Sequence, residues 1–363
     1  MRCKPMAIAE RLTFAVKKAL VVFGAVVITL LALPAPIQSS SWDPPRPPTL
    51  DGALAPNQAL RGAERLAAGQ LVGPSDLALD AQGRIYAGTI DGKIVRLTPG
   101  DALEVFTETG GRPMGMAFSP RGDLIVADAE KGLLRVDPEG HVEVLAHEAE
   151  GQPLTFVTDV ALARDGTIYL TDASGRHPYG NQLYEILEAQ PSGRLVRFDP
   201  VSRTSAVIAR DLYFASGVAL APDESFALVA ESGRYALTRV WLTGDRRNLK
   251  EIFIDNLPGF PDDLTYSPRG TLWLALHTAR LPLIDFLHSY PFLKDSYAGL
   301  PELLRPRTKP WGMVLELDAA GRPLRSFHDV GGERFREVSA VLEERGELLF
   351  GSLTGTAIGR LPL

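Results

Sequence analysis

Cysteine is almost missing from this chain. Cys3 stands alone in 363 residues, which excludes an intramolecular disulfide, a thiolate metal cluster and a cysteine nucleophile in the folded body. A cationic surface is missing too: the formal net charge is -6. Residues 1–18 hold five cations, Arg2, Lys4, Arg11, Lys17 and Lys18, against one acid, Glu10, so the remainder sums to -10. Binding to phosphate backbones needs clustered cations, so nucleic acid is excluded as a partner. No HExxH, GxSxG, Walker or dinucleotide glycine pattern occurs. That removes zinc-protease, serine-hydrolase-fold and nucleotide-cofactor readings.

What is present begins with one long apolar run. No charged residue falls between positions 19 and 42, and ALVVFGAVVITLLALPAPI covers residues 19–37. As a helix it would extend about 28 Å, near the hydrocarbon thickness of a bilayer. Lys17 and Lys18 precede it, and the positive-inside rule then predicts a cytoplasmic amino terminus with the rest of the chain on the outer side. The alternative is a secretory signal, cleaved to release the body. Small residues at the -3 and -1 positions of a cut are badly placed, since Leu33 would occupy -3 for a cut after Ala35. The next stretch, SSSWDPPRPPTL, is proline-rich and aperiodic, which predicts a stiff linker. The sequence thus divides into a basic segment (1–18), an anchor or signal (19–37), a linker (38–60) and a body (61–363).

The body repeats. Glycine (34) and proline (28) make about 17% of the chain, above the roughly 12% of an average protein, as many short strands with tight turns require. Six segments share an apolar alternation, a turn and a second alternation: DLALDAQGRIYAG, GMAFSPRGDLIVAD, DVALARDGTIYLTD, GVALAPDESFALVAE, DLTYSPRGTLWLAL and SAVLEERGELLFGS. Their turns fall at Gly83, Gly122, Gly166, Glu224, Gly270 and Gly346, so the unit is roughly forty to fifty residues. Most units add a second strand pair, as in GLLRVDPEGHVEVL. Six units of four short strands predict an all-β, six-bladed β-propeller. The last unit runs short of strands, and one near residues 64–71 is expected to complete it.

A ring architecture brings scattered residues to one axis. Eight positions before each turn stand Ser75, Met114, Thr158, Ser216, Asp262 and Val338, and these are expected to face a ligand. Asp76, Asp159 and Asp263 follow in sequence and by strand alternation should point away, towards backbone amides.

These repeats, with TDVALARDGTIYLTDAS, NLPGFPDDLTYSPRG and LRSFHD, resemble the strictosidine synthase-like family over about residues 71–363. The resemblance implies a single-pass, outward-facing propeller with arylesterase-type hydrolase activity, related to gluconolactonases and paraoxonases. It also implies a channel calcium held by Glu, Asn, Asn and Asp. At the matching positions this chain has Ser75, Thr158, Ser216 and Asp262, so only Asp262 is kept as a metal ligand and the site is expected to be weak or absent. Ser339 occupies the position of the plant synthases' channel glutamate, so strictosidine synthesis is not expected. Glu337 lies two residues earlier.

Two long connections, residues 172–193 and 276–312, should cover the channel mouth. Leu283, Ile284, Leu287, Tyr290, Leu300, Leu303 and Leu304 in the second suggest short amphipathic cap helices; the alternatives are an ordinary covering of the barrel end or a surface that rests on the membrane. His177, His277, His288 and His328 fall in connections expected on this face, and a histidine is the usual base for ester opening. His328, beside Asp329 in SFHDV, is the candidate partner of Asp262 in catalysis. Ser75, Met114, Thr158, Ser216, Val338, Ser339, His177 and His277 are candidate substrate-binding residues. The expected substrate is a small ester or lactone. The alternative is a propeller without catalysis that binds a small molecule or partner.

Overall fold

The computed structural model describes residues 17, 18, 21, 35–98, 100, 102–305 and 310–363. Six four-stranded antiparallel sheets succeed one another around an axis. Their inner strands are Leu77–Leu79, Pro113–Phe118, Val157–Leu162, Ala215–Leu220, Gly259–Tyr266 and Val338–Glu344, for blades 1 to 6. The sixth blade takes its outermost strand, Glu64–Leu66, from the beginning of the body, where it pairs with Ile358–Pro362. That closes the ring and leaves no open seam.

Strand alternation builds the core between blades rather than inside one. In blade 2 the second strand, Leu124–Asp128, sends Leu124 and Val126 towards Tyr86 and Ile94 of blade 1. Ile125 and Ala127 go the other way, against Val160 and Leu170 of blade 3. Every seam is filled in this manner, as a period of two demands when both faces of a sheet are covered.

Three short helices stand on one end of the propeller: α1 (Gln182–Glu188), α2 (Pro282–His288) and α3 (Pro291–Ala298). All lie in connections between a second and a third strand, the end at which the inner strands begin. They contact one another and bury Leu187, Ile284, Leu287 and Ala298 in the seam between blades 4 and 5. The cap thus draws on both long connections.

The linker differs from its expected role. Residues 38–50 lack regular structure, but the segment is docked along the cap. Ser40 N–H donates to the Glu188 carbonyl (2.8 Å) and Trp42 N–H to that of His288 (3.0 Å). The Trp42 ring sits 4.9 Å from that of His288. Ile37, assigned to the anchor by sequence, is buried beneath the cap. Among the described residues no helix is long and apolar enough to cross a membrane; most of the run at 19–37 lies outside them.

Candidate functional site

The axial opening is narrow at its base and is lined by Ser75, Asp76, Met114, Gly115, Thr158, Asp159, Ser216, Gly217, Asp262, Asp263 and Ser339. Sequence spacing therefore brings Ser75, Met114, Thr158, Ser216 and Asp262 together. Both members of each residue pair line the opening, against the expected alternation. The cause is local: pairing of inner with second strands skips between Pro113 and Met116, Val157 and Asp159, Ala215 and Val218, Pro261 and Leu264, and Val338 and Ala340. A bulge puts an extra residue into one strand, so two consecutive side chains can turn to the same side. In blade 1, Ser75 and Asp76 precede the ladder altogether.

The channel consequently has two tiers. In the deep tier, blades 1, 3 and 5 carry Asp76, Asp159 and Asp263, while blades 2, 4 and 6 carry Gly115, Gly217 and Ala340. Each carboxylate reaches to the next blade and accepts a backbone N–H: Met116 to Asp76 (2.6 Å), Val218 to Asp159 (2.7 Å) and Val341 to Asp263 (3.0 Å). The glycines leave the space this needs. A Cβ on Gly115 would lie 2.2 Å from Asp159 Oδ1, and one on Gly217 would lie 2.4 Å from the Asp262 carbonyl. Burial raises Asp76 and Asp159 well above the ordinary carboxylate range, and repulsion from Asp263 raises both further. Burial lifts Asp263 to about 6, against the pull of the Val341 and Leu264 amides.

In the mouth tier the hydroxyls are spent on neighbouring blades. Ser75 Oγ donates to the Pro113 carbonyl (3.0 Å), Thr158 Oγ1 to that of Ala215 (2.8 Å) and Ser339 Oγ to that of Ser75 (2.8 Å). Ser216 and Ser232 hydroxyls bond one another, and Ser232 donates to the Pro261 carbonyl of the following blade. Asp262 is the exception. Among the described residues no hydrogen bond reaches its carboxylate, and burial, then the adjacent Asp263, pushes it up to about 8. Above the tier, Met114 packs with Ala129, Phe156 and Ala173, with Tyr179, Phe214 and Leu353 beside them. This collar is apolar.

The donor set implied by resemblance does not fit a tight calcium site. Calcium takes six to eight hard oxygens, several of them anionic. At the four matching positions the Ser75 and Thr158 hydroxyls donate to carbonyls of the next blade and that of Ser216 bonds Ser232, leaving the Asp262 carboxylate alone among the four.

The remaining sequence candidates disperse. Val338 is fully buried, paired with Ser352 and packed between blades 5 and 6; Ser339 takes the axial place. Counting eight back from Gly346 overshoots by one because the last hairpin turn is shorter: Glu344 pairs with Glu347 across Arg345 and Gly346, whereas Tyr266 pairs with Leu272 in blade 5. His277 continues the face of Trp273 and Ala275 towards blade 6, where Glu337 partly offsets the lowering that burial imposes on it. His177 lies 3.2 Å from Glu188 beneath the cap, and His288 is buried there against Trp42, lowered to about 3 by burial and two nearby cations. His328 is the clear correction. It belongs to the outermost strand of blade 5, Pro323–Val330, not to a mouth loop. Its Nδ1 accepts from Trp311 Nε1 (3.0 Å) and its Nε2 meets Ser326 Oγ (2.8 Å). Since an indole N–H only donates, the ring is neutral with its proton on Nε2, and burial holds it at about 4. Asp329 does not orient it: that carboxylate accepts the Arg334 and Phe335 amides and pairs with Arg61.

Sequence reasoning missed the acids that close the second strands. Asp128, Asp172 and Glu231 accept the amides of Arg112 (2.9 Å), Phe156 (2.8 Å) and Tyr213 (2.7 Å), fixing the chain just before each inner strand. Their signal was legible: an acid ends the repeats IVAD, YLTD and LVAE. Arg112 was missed as well. It is buried beside the mouth, both terminal nitrogens 3.2 Å from the Gly73 carbonyl.

Comparison with known proteins matches this geometry. The strictosidine synthase family model matches residues 158–245, and the strictosidine synthase-like N-terminal model matches residues 52–97. The adipocyte plasma membrane-associated protein of Rattus norvegicus is 34% identical over 97% of this chain and 98% of its own length. A strictosidine synthase-like protein of Arabidopsis thaliana is 33% identical over 87% of this chain and 86% of its own. Among solved structures, a Xanthomonas campestris gluconolactonase superposes with a TM-score of 0.61 at 18% identity, over 92% of this chain and 99% of that one. The calcium-binding regucalcin of Agrobacterium tumefaciens gives 0.58 at 14% identity, over 82% and 92%. These two likenesses concern the fold. With whole-length kinship above 30% identity and six closed blades around one opening, the chain belongs to the strictosidine synthase-like family.

Proposed function

We propose that this propeller hydrolyses small esters or lactones at its axial opening, with Asp262 as the proton-transfer group. The observation that carries the reading is the isolation of one carboxylate. The hydroxyls around Asp262 are engaged within and between blades, while among the described residues no hydrogen bond reaches the Asp262 carboxylate, which is held at about 8. A group poised near neutrality serves both as base and as acid. Ionised, it takes a proton from water as the water oxygen bonds to the acyl carbon. Protonated, it returns that proton to the leaving alkoxide as the acyl C–O bond breaks. The collar of Met114, Phe156, Phe214 and Tyr179 suits an apolar or aryl portion of the substrate. The fold shared with a gluconolactonase supports the substrate class by analogy.

Calcium is not assigned a step, because the ring that would hold it has become hydroxylic. Calcium titrated into the full chain, followed by calorimetry, tests this; a micromolar or tighter site lost in Asp262→Asn would overturn it. The likeness to plasma membrane-associated relatives and the basic residues before the apolar run support an anchored chain, amino terminus cytoplasmic and propeller outside.

Catalysis is tested by assaying the full-length protein in detergent on aryl esters and on five- and six-membered lactones, with Asp262→Asn beside it. Turnover that survives in the variant removes Asp262 from the mechanism. A second reading, a binding propeller without turnover, is favoured by the commitment of Ser75, Thr158 and Ser216 to the seams. Saturable ligand binding with no hydrolysis of any ester would establish it.

A further inference from the structure

The cap is apolar on its outside as well as beneath. Leu283, Phe286, Tyr290, Phe292, Leu303 and Leu304 are all exposed, Phe292 at 61% and Leu303 at 89%. Phe286 and Tyr290 rings lie 5.1 Å apart, and Leu283 and Phe286 on α2 neighbour Phe292 on α3 through the contact of the two helices. Exposed large apolar residues elsewhere are more scattered; Val201, 94% exposed, stands in a turn at the opposite end of the propeller. Scattered residues need no explanation, whereas a clustered apolar surface marks a contact.

The chain itself indicates what that contact is. The docked segment is fastened to the cap's inner groups: Gln38 N–H to Glu188 Oε1 (2.8 Å), Lys294 Nζ to the Ser40 carbonyl (2.5 Å) and an Arg280 terminal nitrogen to the Pro45 carbonyl (2.7 Å). Lys294 and Glu188 are both buried, so the attachment is a built joint and not a loose linker. From Leu33, the last residue of the uninterrupted apolar core, to Ile37 beneath the cap there are four residue steps. Fully extended they reach at most about 14 Å. The headgroup zone on one side of a bilayer is roughly 5 to 8 Å thick. A span ending near Leu33 therefore holds Ile37 at most about 6 to 9 Å beyond the headgroups, less than the ~10 Å diameter of a helix, so the cap helices over Ile37 lie against the membrane.

We propose that the outer surface of the cap is a lipid-contacting face, seated at the headgroup level, so that the channel mouth opens towards the membrane that anchors the chain. Phenylalanine, leucine and tyrosine are the side chains that settle at that depth. The proposal rests on the anchored reading above, and it adds an orientation which anchoring through a free tether would not impose.

The test uses the full chain with Cys3→Ser and one added cysteine, at Phe286→Cys, Leu303→Cys or, as control, Val201→Cys. Each is nitroxide-labelled and reconstituted into phosphatidylcholine vesicles containing one-fifth phosphatidylserine. Collision with oxygen is compared with collision with a water-soluble nickel chelate. The expected result is at least a threefold higher oxygen-to-nickel ratio at both cap positions than at Val201, with the protein floating with the vesicles. Floating protein whose cap labels meet nickel as freely as Val201 overturns the lipid face and leaves the anchor standing. Cap labels shielded from both quenchers overturn it in favour of a second copy or another protein. Protein that does not float overturns the anchor and this inference together. Leu303 protrudes without packing, so its replacement keeps the test independent of any folding defect at Phe286.

Discussion

Asp262 and Asp263 are neighbours in sequence, yet they belong to different tiers of the channel and meet different fates. Asp263 and its equivalents, Asp76 and Asp159, reach across to the next blade and close the barrel of inner strands. Among the described residues no hydrogen bond reaches Asp262, whose nearest charge is Asp263. One tier is an axle; the other holds a single reactive group among hydroxyls already in use. A carboxylate at a propeller's axis is therefore no evidence of chemistry by itself. What its oxygens already accept decides.

That contrast can be broken by substitution. The largest effect should come from Asp262→Asn, which keeps the shape and removes the proton-transfer group: turnover of the best ester or lactone should fall by roughly 100-fold or more, with the thermal midpoint at pH 7 unchanged or raised. Next, Gly217→Ala should destabilise the fold by about 1–3 kcal/mol, because its Cβ would press on the backbone of Asp262 and Asp263; denaturant unfolding would measure it. A loss no greater than that of a surface alanine would contradict the packing of the deep tier.

A third effect is in pH. Asp262 at about 8 and Asp263 at about 6 stand above the ordinary 3.8, so the folded state retains protons that the unfolded chain has lost. Stability from these groups should decline as pH climbs from about 4 to 8. Asp262→Asn should flatten the upper part of that slope in midpoints recorded across the range, and Asp159→Asn should lessen the decline too, because burial first and then Asp263 hold the Asp159 carboxyl well above its ordinary range. A smaller change is expected of Ser75→Ala, about 1 kcal/mol for one buried seam bond, with activity retained. The smallest is the effect of His328→Gln on activity: within twofold of the parent, since the residue lies on an outermost strand. A large fall in kcat would return His328 to the mechanism.

Much of this was determined by sequence alone. Alternation around a turn, repeated six times, specifies blades because each sheet has two apolar faces and must find a neighbour for both, and constant spacing brings Ser75, Thr158, Ser216 and Asp262 to one opening. Other features were decided only by the tertiary structure. Strand bulges, which depend on pairing between strands, turned Asp159 and Asp263 inward, and Asp76 lies ahead of its ladder. The inner or outer position of a strand is a property of the sheet, and it removed His328 from the mouth. Whether a hydroxyl is free depends on a carbonyl in another blade, and whether a proline-rich segment is a tether or a joint depends on Glu188 and Lys294, which lie about 150 to 250 residues away along the chain. Local pattern fixes what must be buried; long-range contact fixes which polar groups remain unspent.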